Sequence, residues 1–402
     1  MKLKKMAFPD AVVAGGGPAG LSAAEILARR GHSVILLEQN HEIGSPIRTS
    51  GGSFIDELDA LGIPERLYHP IFRVIFRSPA NSAVFEFARP RLCVIDVRGV
   101  FQFLAERAIA AGASLRLSAA AVAPVMEGNT VIGVRTRDAE IPCRVLIDAT
   151  GYRSTLLKQA GLDPHFRRFG VGSEYDLYAP DCDQNEVIIA VGGEIAPSGY
   201  AWIFPWGHHR VRAGVGIIHP DSSASPDLFL DAFIASIPTL RSAQPIEHHS
   251  GLIPSEQFAP AFAGNGILAA GDSAGHASSL LGEGIRWAIH AGRMAGDTAA
   301  DALDRNDVSR DSLALFETAW RTRFGRNLGL AHKINQRIAR WDDRKWDERL
   351  EFVKLLSPEQ FVEALKSNLT GRWLWRFLTS NPRALASAAG LRGTLRTHSD
   401  VR

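Results

Sequence analysis

Residues 11–20 read Ala11-Val12-Val13-Ala14-Gly15-Gly16-Gly17-Pro18-Ala19-Gly20, and this stretch decides the fold. A short apolar run suited to a buried strand ends in a G-x-G-x-x-G turn. Pro18 then opens a helical stretch that Gly31 closes. Ser33-Val34-Ile35-Leu36-Leu37 is a second buried-strand run, so the chain begins as a βαβ unit. In such a unit Gly15 permits the tight bend and Gly17 lets the backbone approach a pyrophosphate. Gly20 lets helix and strand pack closely, and the helix start at Pro18 and Ala19 turns its partial positive charge to the phosphates. Glu38 ends the second strand, where an acidic side chain accepts hydrogen bonds from ribose hydroxyls. The same charge would repel a 2′-phosphate.

The rest of the chain bounds what is built on this beginning. At 402 residues, 46% hydrophobic and 22% charged, it can bury a large core shared by two packed lobes. A net charge of +2 calls for no nucleic-acid partner. The basic start Lys2, Lys4 and Lys5 runs almost directly into the first strand, with no secretory apolar region. No apolar run of about 18 residues occurs, and a cytoplasmic protein is expected. Cys93, Cys143 and Cys182 stand far apart without CxxC spacing, as small buried apolar residues would. His208, His209 and His276 have no paired ligands, so no metal site is expected.

Two later motifs extend the nucleotide reading to FAD, whose flavin end needs contacts from sequence-distant segments. Asp148-Ala149-Thr150-Gly151 ends an expected strand over 140–149. Gly271-Asp272-Ser273-Ala274-Gly275 follows an apolar strand, and Asp272 there can accept from the ribityl hydroxyls. Gly282-Glu283-Gly284-Ile285 then opens a helix whose first amides can stabilise negative charge on the flavin. His276, just after the aspartate motif, is a further candidate for contact with flavin or substrate.

Between these motifs the pattern alternates. A helix follows Arg98, with Phe101, Leu104, Ala105 and Ala108 on one face, and residues 168–218 read as several β segments. From about 307 onward the chain reads as helical, and Ser357-Pro358-Glu359-Gln360 carries a capping box. The expected fold is therefore α/β: a Rossmann-like FAD-binding domain from 8–75, 93–165 and 260–305, an inserted antiparallel β-sheet substrate domain from 76–92 and 166–259, and a C-terminal helical region over 306–402.

On these motifs the chain resembles the geranylgeranyl reductase family, within the wider p-hydroxybenzoate hydroxylase-like flavoproteins. The resemblance adds Gly44-Ser45-Pro46-Ile47-Arg48, Arg98 before its helix, and above all Tyr200-Ala201-Trp202-Ile203-Phe204-Pro205, which matches the family's Y-x-W-x-F-P element. It implies that Arg48 and Arg98 belong to the cofactor site and that Tyr200 and Trp202 line a substrate cavity beside the flavin. The implied reaction is reduction of C=C bonds in an apolar isoprenoid chain. Read from the residues alone, Tyr200 and Trp202 sit two apart on a strand and point the same way. The chain departs from the family at Thr49 and Ser50, where a cysteine is usual, and at Ser279, where proline is usual. Both positions bear on substrate and reaction type, and neither bears on FAD binding.

No second G-x-G-x-x-G exists, so electrons would come from NAD(P)H visiting the substrate side or from another reduced carrier. Tyr200 or a water is the expected proton donor. The aromatic and basic stretch 371–377 could cap the cavity or rest on a membrane surface. Two other readings stay open: an FAD monooxygenase hydroxylating an aromatic or polyketide-like substrate, and a redox-neutral flavoprotein such as a cyclase. A long apolar tunnel beside the flavin suits an isoprenoid, a compact polar one a hydroxylase.

Overall fold

The computed structural model of the chain describes residues 8–380. The basic start at Lys2, Lys4 and Lys5 and the end of the 306–402 region lie outside the described residues. Ala11–Ala14 is fully buried and sits at the centre of a six-stranded sheet, with Ala11 opposite both Val34 and Val145 in parallel register. Strands covered on both faces need apolar residues at every position, which is why these runs do not alternate. Ile267–Ala269 continues the sheet beyond Val145–Asp148, and Ser114–Arg116 lies beyond Val34–Leu37.

The helix Pro18–Arg29 packs on this sheet and against the long helix Ile285–Asp304. The two helices approach so closely that a Cβ on Gly292 would lie 2.1 Å from the Ala19 carbonyl oxygen, and one on Gly296 2.8 Å from that of Ala23. An alanine and glycine stripe, and not bulky side chains, thus joins the first flavin motif to the last.

The expected single strand over 140–149 divides in two. Glu140–Pro142 pairs antiparallel with Thr130–Thr136, while Val145–Asp148 enters the parallel sheet. Cys143 and Arg144 make the step, with the Arg144 amide donating to the Asp10 carbonyl at 3.0 Å.

Seven strands form the second large sheet, in the order Gln244–Pro254, Phe169–Tyr178, Arg210–His219, Ala196–Gly207, Glu186–Gly192, Arg73–Arg77, Ser82–Glu86. Only Glu186–Gly192 and Arg73–Arg77 run parallel. The strand Arg73–Arg77 crosses the 75/76 boundary expected between domains and belongs whole to this sheet. Alternation gives the sheet two apolar faces. On one, Ala201, Ile203 and Val215 meet Leu230 and Phe233 of the helix Asp227–Ala235. On the other, Tyr200 and Phe204 turn toward Phe361 and Leu365 of the helix Pro358–Leu365. Trp346 and Leu350 of the helix Asp343–Val353 cover Val191 beside them. The capping box holds: Ser357 Oγ accepts from the Gln360 amide, and Gln360 Oε1 from the Ser357 amide.

Candidate active site

A single cavity of about 940 Å³ runs from the first glycine turn to the C-terminal helices. Its polar arm is lined by Gly15 to Ala19, Glu38, the 44–50 segment, Gly271 and Asp272, and by Gly282, Gly284 and Ile285. At Gly15, φ is +113° and a Cβ would strike the Ala149 carbonyl, so the turn and the second motif interlock there. At Gly17 the space a Cβ would occupy is open. Glu38 is buried and accepts from the Gly16 amide at 2.7 Å and the Asn40 amide at 2.8 Å, which leaves each oxygen a second lone pair.

The Asp272 carboxylate has no hydrogen-bond partner among the described residues, and burial pushes it up to about 6. A buried carboxylate without donors is a costly arrangement unless a ligand supplies them. The helix Ile285–Asp304 begins beside it at Gly284 with no side-chain cap, so its first amides also open on the cavity. These features fit an FAD: an open glycine turn for the pyrophosphate, two carboxylates for sugar and ribityl hydroxyls, and free amides for the flavin edge.

The other arm is apolar, walled by Ile189, Val191, Trp341, Trp346, Phe361 and Leu365. Tyr200 and Trp202 stand where the arms meet, ring centroids 5.5 Å apart. Trp202 lies over the adjacent strands because glycines make room: a Cβ on Gly214 would sit 2.3 Å from its Cζ2, and one on Gly216 3.2 Å from Cζ3. Its indole N–H donates to Glu174 Oε2 at 3.0 Å. The Tyr200 hydroxyl donates to the Leu281 carbonyl at 2.5 Å, and burial raises the phenol well above its usual range. Tyr200 therefore tethers the loop that carries Gly282 and Gly284. The same loop is fastened from the C-terminal side, by Ser278 to Ser367 at 2.8 Å and by Arg286 to the Lys366 carbonyl at 2.8 Å.

Four candidates do not line the cavity. Arg98 does not line the cavity; its helix begins at Val97 and aims the guanidinium at Glu42, 3.6 Å away. Gly20 lies beneath the turn, where a Cβ would come within 2.0 Å of the Gly15 carbonyl, so it serves the close packing expected of it without touching the cavity. His276 is fully buried among Phe262, Phe316 and Trp320, away from the cavity, and burial drives its imidazole down to about 3. Of the 371–377 helix no described side chain lines the cavity; Trp373 Nε1 donates to the Gln360 carbonyl and Trp375 is exposed. His208 and His209 form the hairpin turn between two strands, both at positive φ. Thr49, Ser50 and Ser279 do line the cavity.

Two cavity residues escaped the sequence reading. Glu174 and His249 are both buried and face each other across paired strands, 3.3 Å apart between Oε1 and Nδ1. Their signal was faint: charged residues at alternate positions, Glu174 and Asp176, inside a half-buried strand.

Residues 10–170 match the model of FAD dependent oxidoreductases, and residues 169–253 match the geranylgeranyl reductase catalytic domain. The chain is 31% identical over 356 residues to digeranylgeranylglycerophospholipid reductase 2 of Methanothermobacter thermautotrophicus, covering 86% of this chain and 91% of the relative. It is 31% identical over 370 residues to digeranylgeranylglycerophospholipid reductase 1 of Methanopyrus kandleri, covering 89% and 97%. Its fold is shared with a geranylgeranyl bacteriochlorophyll reductase-like protein of Thermoplasma acidophilum, at a TM-score of 0.84, 23% identity, and 95% and 99% coverage. The chain belongs to the geranylgeranyl reductase family of FAD-dependent oxidoreductases.

Proposed function

We propose that this enzyme saturates C=C bonds in the isoprenoid chains of a polyprenyl lipid, held in the apolar arm against the flavin. The observation that carries this reading is the continuity of the cavity: a polar arm fitted to a dinucleotide opens, past Tyr200 and Trp202, into an arm walled by apolar and aromatic side chains. A hydroxylase of compact aromatic substrates has no use for such an arm. The named relatives are reductases of lipids bearing geranylgeranyl chains, which supports the same substrate class.

In this reading Gly15, Gly17, Pro18 and Ala19 hold the pyrophosphate, Glu38 the adenosine ribose, and Asp272 the ribityl chain. Arg48 would help hold the flavin end, and the amides of Gly282, Gly284 and Ile285 would stabilise negative charge on it. Bound reduced flavin supplies hydride. Tyr200 and Trp202 press the substrate chain into place, while Ile189, Phe361 and Leu365 exclude water from it. Electrons reach the site from NAD(P)H or another reduced carrier. Among the described residues no helix is long and apolar enough to cross a membrane. The exposed Trp375, flanked by Arg372 and Arg376, suits contact of this helix with a lipid surface, from which a lipid substrate would be drawn.

The test is anaerobic reoxidation. Pre-reduced holoenzyme mixed with a polyprenyl ether lipid should be reoxidised and leave a product with one fewer double bond. Turnover that requires oxygen and yields a hydroxylated product, with no alkene accepted anaerobically, would overturn the reading.

A further inference from the structure

Saturating a double bond takes one hydride, which bound reduced flavin supplies with its two electrons, and one proton, which the protein must bring to the other carbon. Tyr200 is ill placed to bring it, since its hydroxyl proton is committed to the Leu281 carbonyl. A different set of groups runs from the cavity wall to the surface. Glu174 and His249 line the cavity, and Glu174 Oε1 lies 3.3 Å from His249 Nδ1. His249 Nε2 meets Glu247 Oε2 at 2.8 Å, and the Glu247 side chain is 43% exposed. Strand pairing produces the row: Glu174 sits opposite His249, and Glu247 is two residues away on the same face of its strand.

We propose that Glu247, His249 and Glu174 are the proton path from solvent to the substrate, with Glu174 the group that meets the reacting carbon. The proposal rests on the reductase reading above. A proton enters at Glu247, crosses the imbedded imidazole from one nitrogen to the other, and reaches the Glu174 carboxylate. Glu174 gives it to the alkene carbon that does not receive hydride. The π pair and the hydride pair become the two new C–H bonds, the flavin is left oxidised, and Glu174 is left as a carboxylate to be reprotonated along the same row. Trp202, whose N–H is held by the other Glu174 oxygen, is a positioning residue that keeps the acid and the substrate wall in register.

The surroundings suit the role. Burial opposes charge on His249, yet the two flanking carboxylates outweigh it and raise the imidazole above its ordinary value. Glu247 is held below its usual range by the His249 hydrogen bond, with Arg98 and Arg210 adding to it. Arg212 and Tyr200 also lie within electrostatic reach of Glu174, and Asp176 shares its strand. His248 turns to the opposite face, toward Ser173 and Asp227, and takes no part.

The experiment combines single-turnover reoxidation by a polyprenyl ether lipid, in H₂O and D₂O, with histidine NMR titration of the same proteins. Glu174→Gln keeps an oxygen for the Trp202 indole, so it separates proton supply from positioning. It should slow reoxidation by about 100-fold, within the range of general acid catalysis. It should also enlarge the solvent isotope effect, leave FAD and lipid affinity within a few-fold of wild type, and lower the pH at which His249 titrates. Glu247→Gln, at the surface, should slow reoxidation by less and be rescued by a small carboxylic acid in the buffer; it serves also should Glu174→Gln fail to fold. Wild-type rates and isotope effects in both variants, or a His249 titration unmoved by the loss of either carboxylate, would overturn the path and leave the reductase reading standing. A wild-type enzyme that no polyprenyl alkene reoxidises would overturn the reductase reading itself, and the path with it.

Discussion

Asp272→Asn should make the cofactor-free protein more stable and, at the same time, a poorer binder of FAD. The Asp272 carboxyl has no donor around it among the described residues and is raised from 3.8 to about 6 by burial alone. A carboxyl whose folded value lies above its unfolded one disfavours folding once the pH passes the folded value, and the penalty disappears below the unfolded value. Two units of displacement correspond to about 3 kcal/mol in a dry site. Water in the open cavity reduces this to about 1–2 kcal/mol. Asparagine is neutral and nearly isosteric, so at pH 8 the variant's apoprotein should melt a few degrees higher, on the scale of roughly 2–4 °C per kcal/mol. At pH near 4 the two should melt together. Binding should move the other way. Ribityl hydroxyls supply the missing donors, and removing a hydrogen bond to a charged group costs about 1.5–3 kcal/mol, roughly ten- to a hundred-fold in Kd. Wild-type affinity for FAD should also fall as pH drops below about 6, because binding then has to displace a proton, whereas the variant should show no such dependence. Thermal melts of apoprotein at the two pH values and flavin fluorescence titrations measure all of this. A variant that melts below wild type at pH 8, or that binds FAD as tightly as wild type at neutral pH, would refute the assignment of Asp272.

Two further changes test the apolar side. Gly214→Ala puts a methyl group 2.3 Å from Trp202 Cζ2, so the indole must leave its place on the sheet; turnover should fall at least tenfold while FAD content stays, read by absorbance and single-turnover rates. Ile189→Trp fills the apolar arm from the sheet side, at about 1–3 kcal/mol of overpacking, and should reject long polyprenyl chains more than short ones with FAD affinity unchanged.

The nucleotide half of the fold was legible because its constraints are local. A glycine turn that must bend, admit a phosphate and seat a helix writes itself at Gly15, Gly17 and Gly20, even though Gly20 does its work beneath the turn. The capping box at Ser357 and the shared face of Tyr200 and Trp202 are local in the same way. What sequence did not settle depends on partners far along the chain. The split of 140–149 follows from Arg144 docking on Asp10, and nothing in the run of apolar residues announces it. His276 stands in a flavin motif but is claimed by Phe262, Phe316 and Trp320, which come together only in the fold. Glu174 and His249 are separated by 75 residues and meet through strand pairing alone. Gly214 and Gly216 have their reason in the Trp202 indole, which lies across them and comes from another strand.

The two arms of the cavity are built by different parts of the chain, yet one loop, 278–286, is held by both. Tyr200 grips it at Leu281 from the sheet, while Ser367 and the Lys366 carbonyl grip Ser278 and Arg286 from the C-terminal helices. The helix whose first amides open on the cavity leaves this loop at Gly284. Its position is therefore set jointly by the sheet wall that carries Tyr200 and Trp202 and by the helices that close the apolar arm. Phe361, which walls the apolar arm, and Lys366 belong to one short helical segment, Phe361 in its middle and Lys366 just past its end.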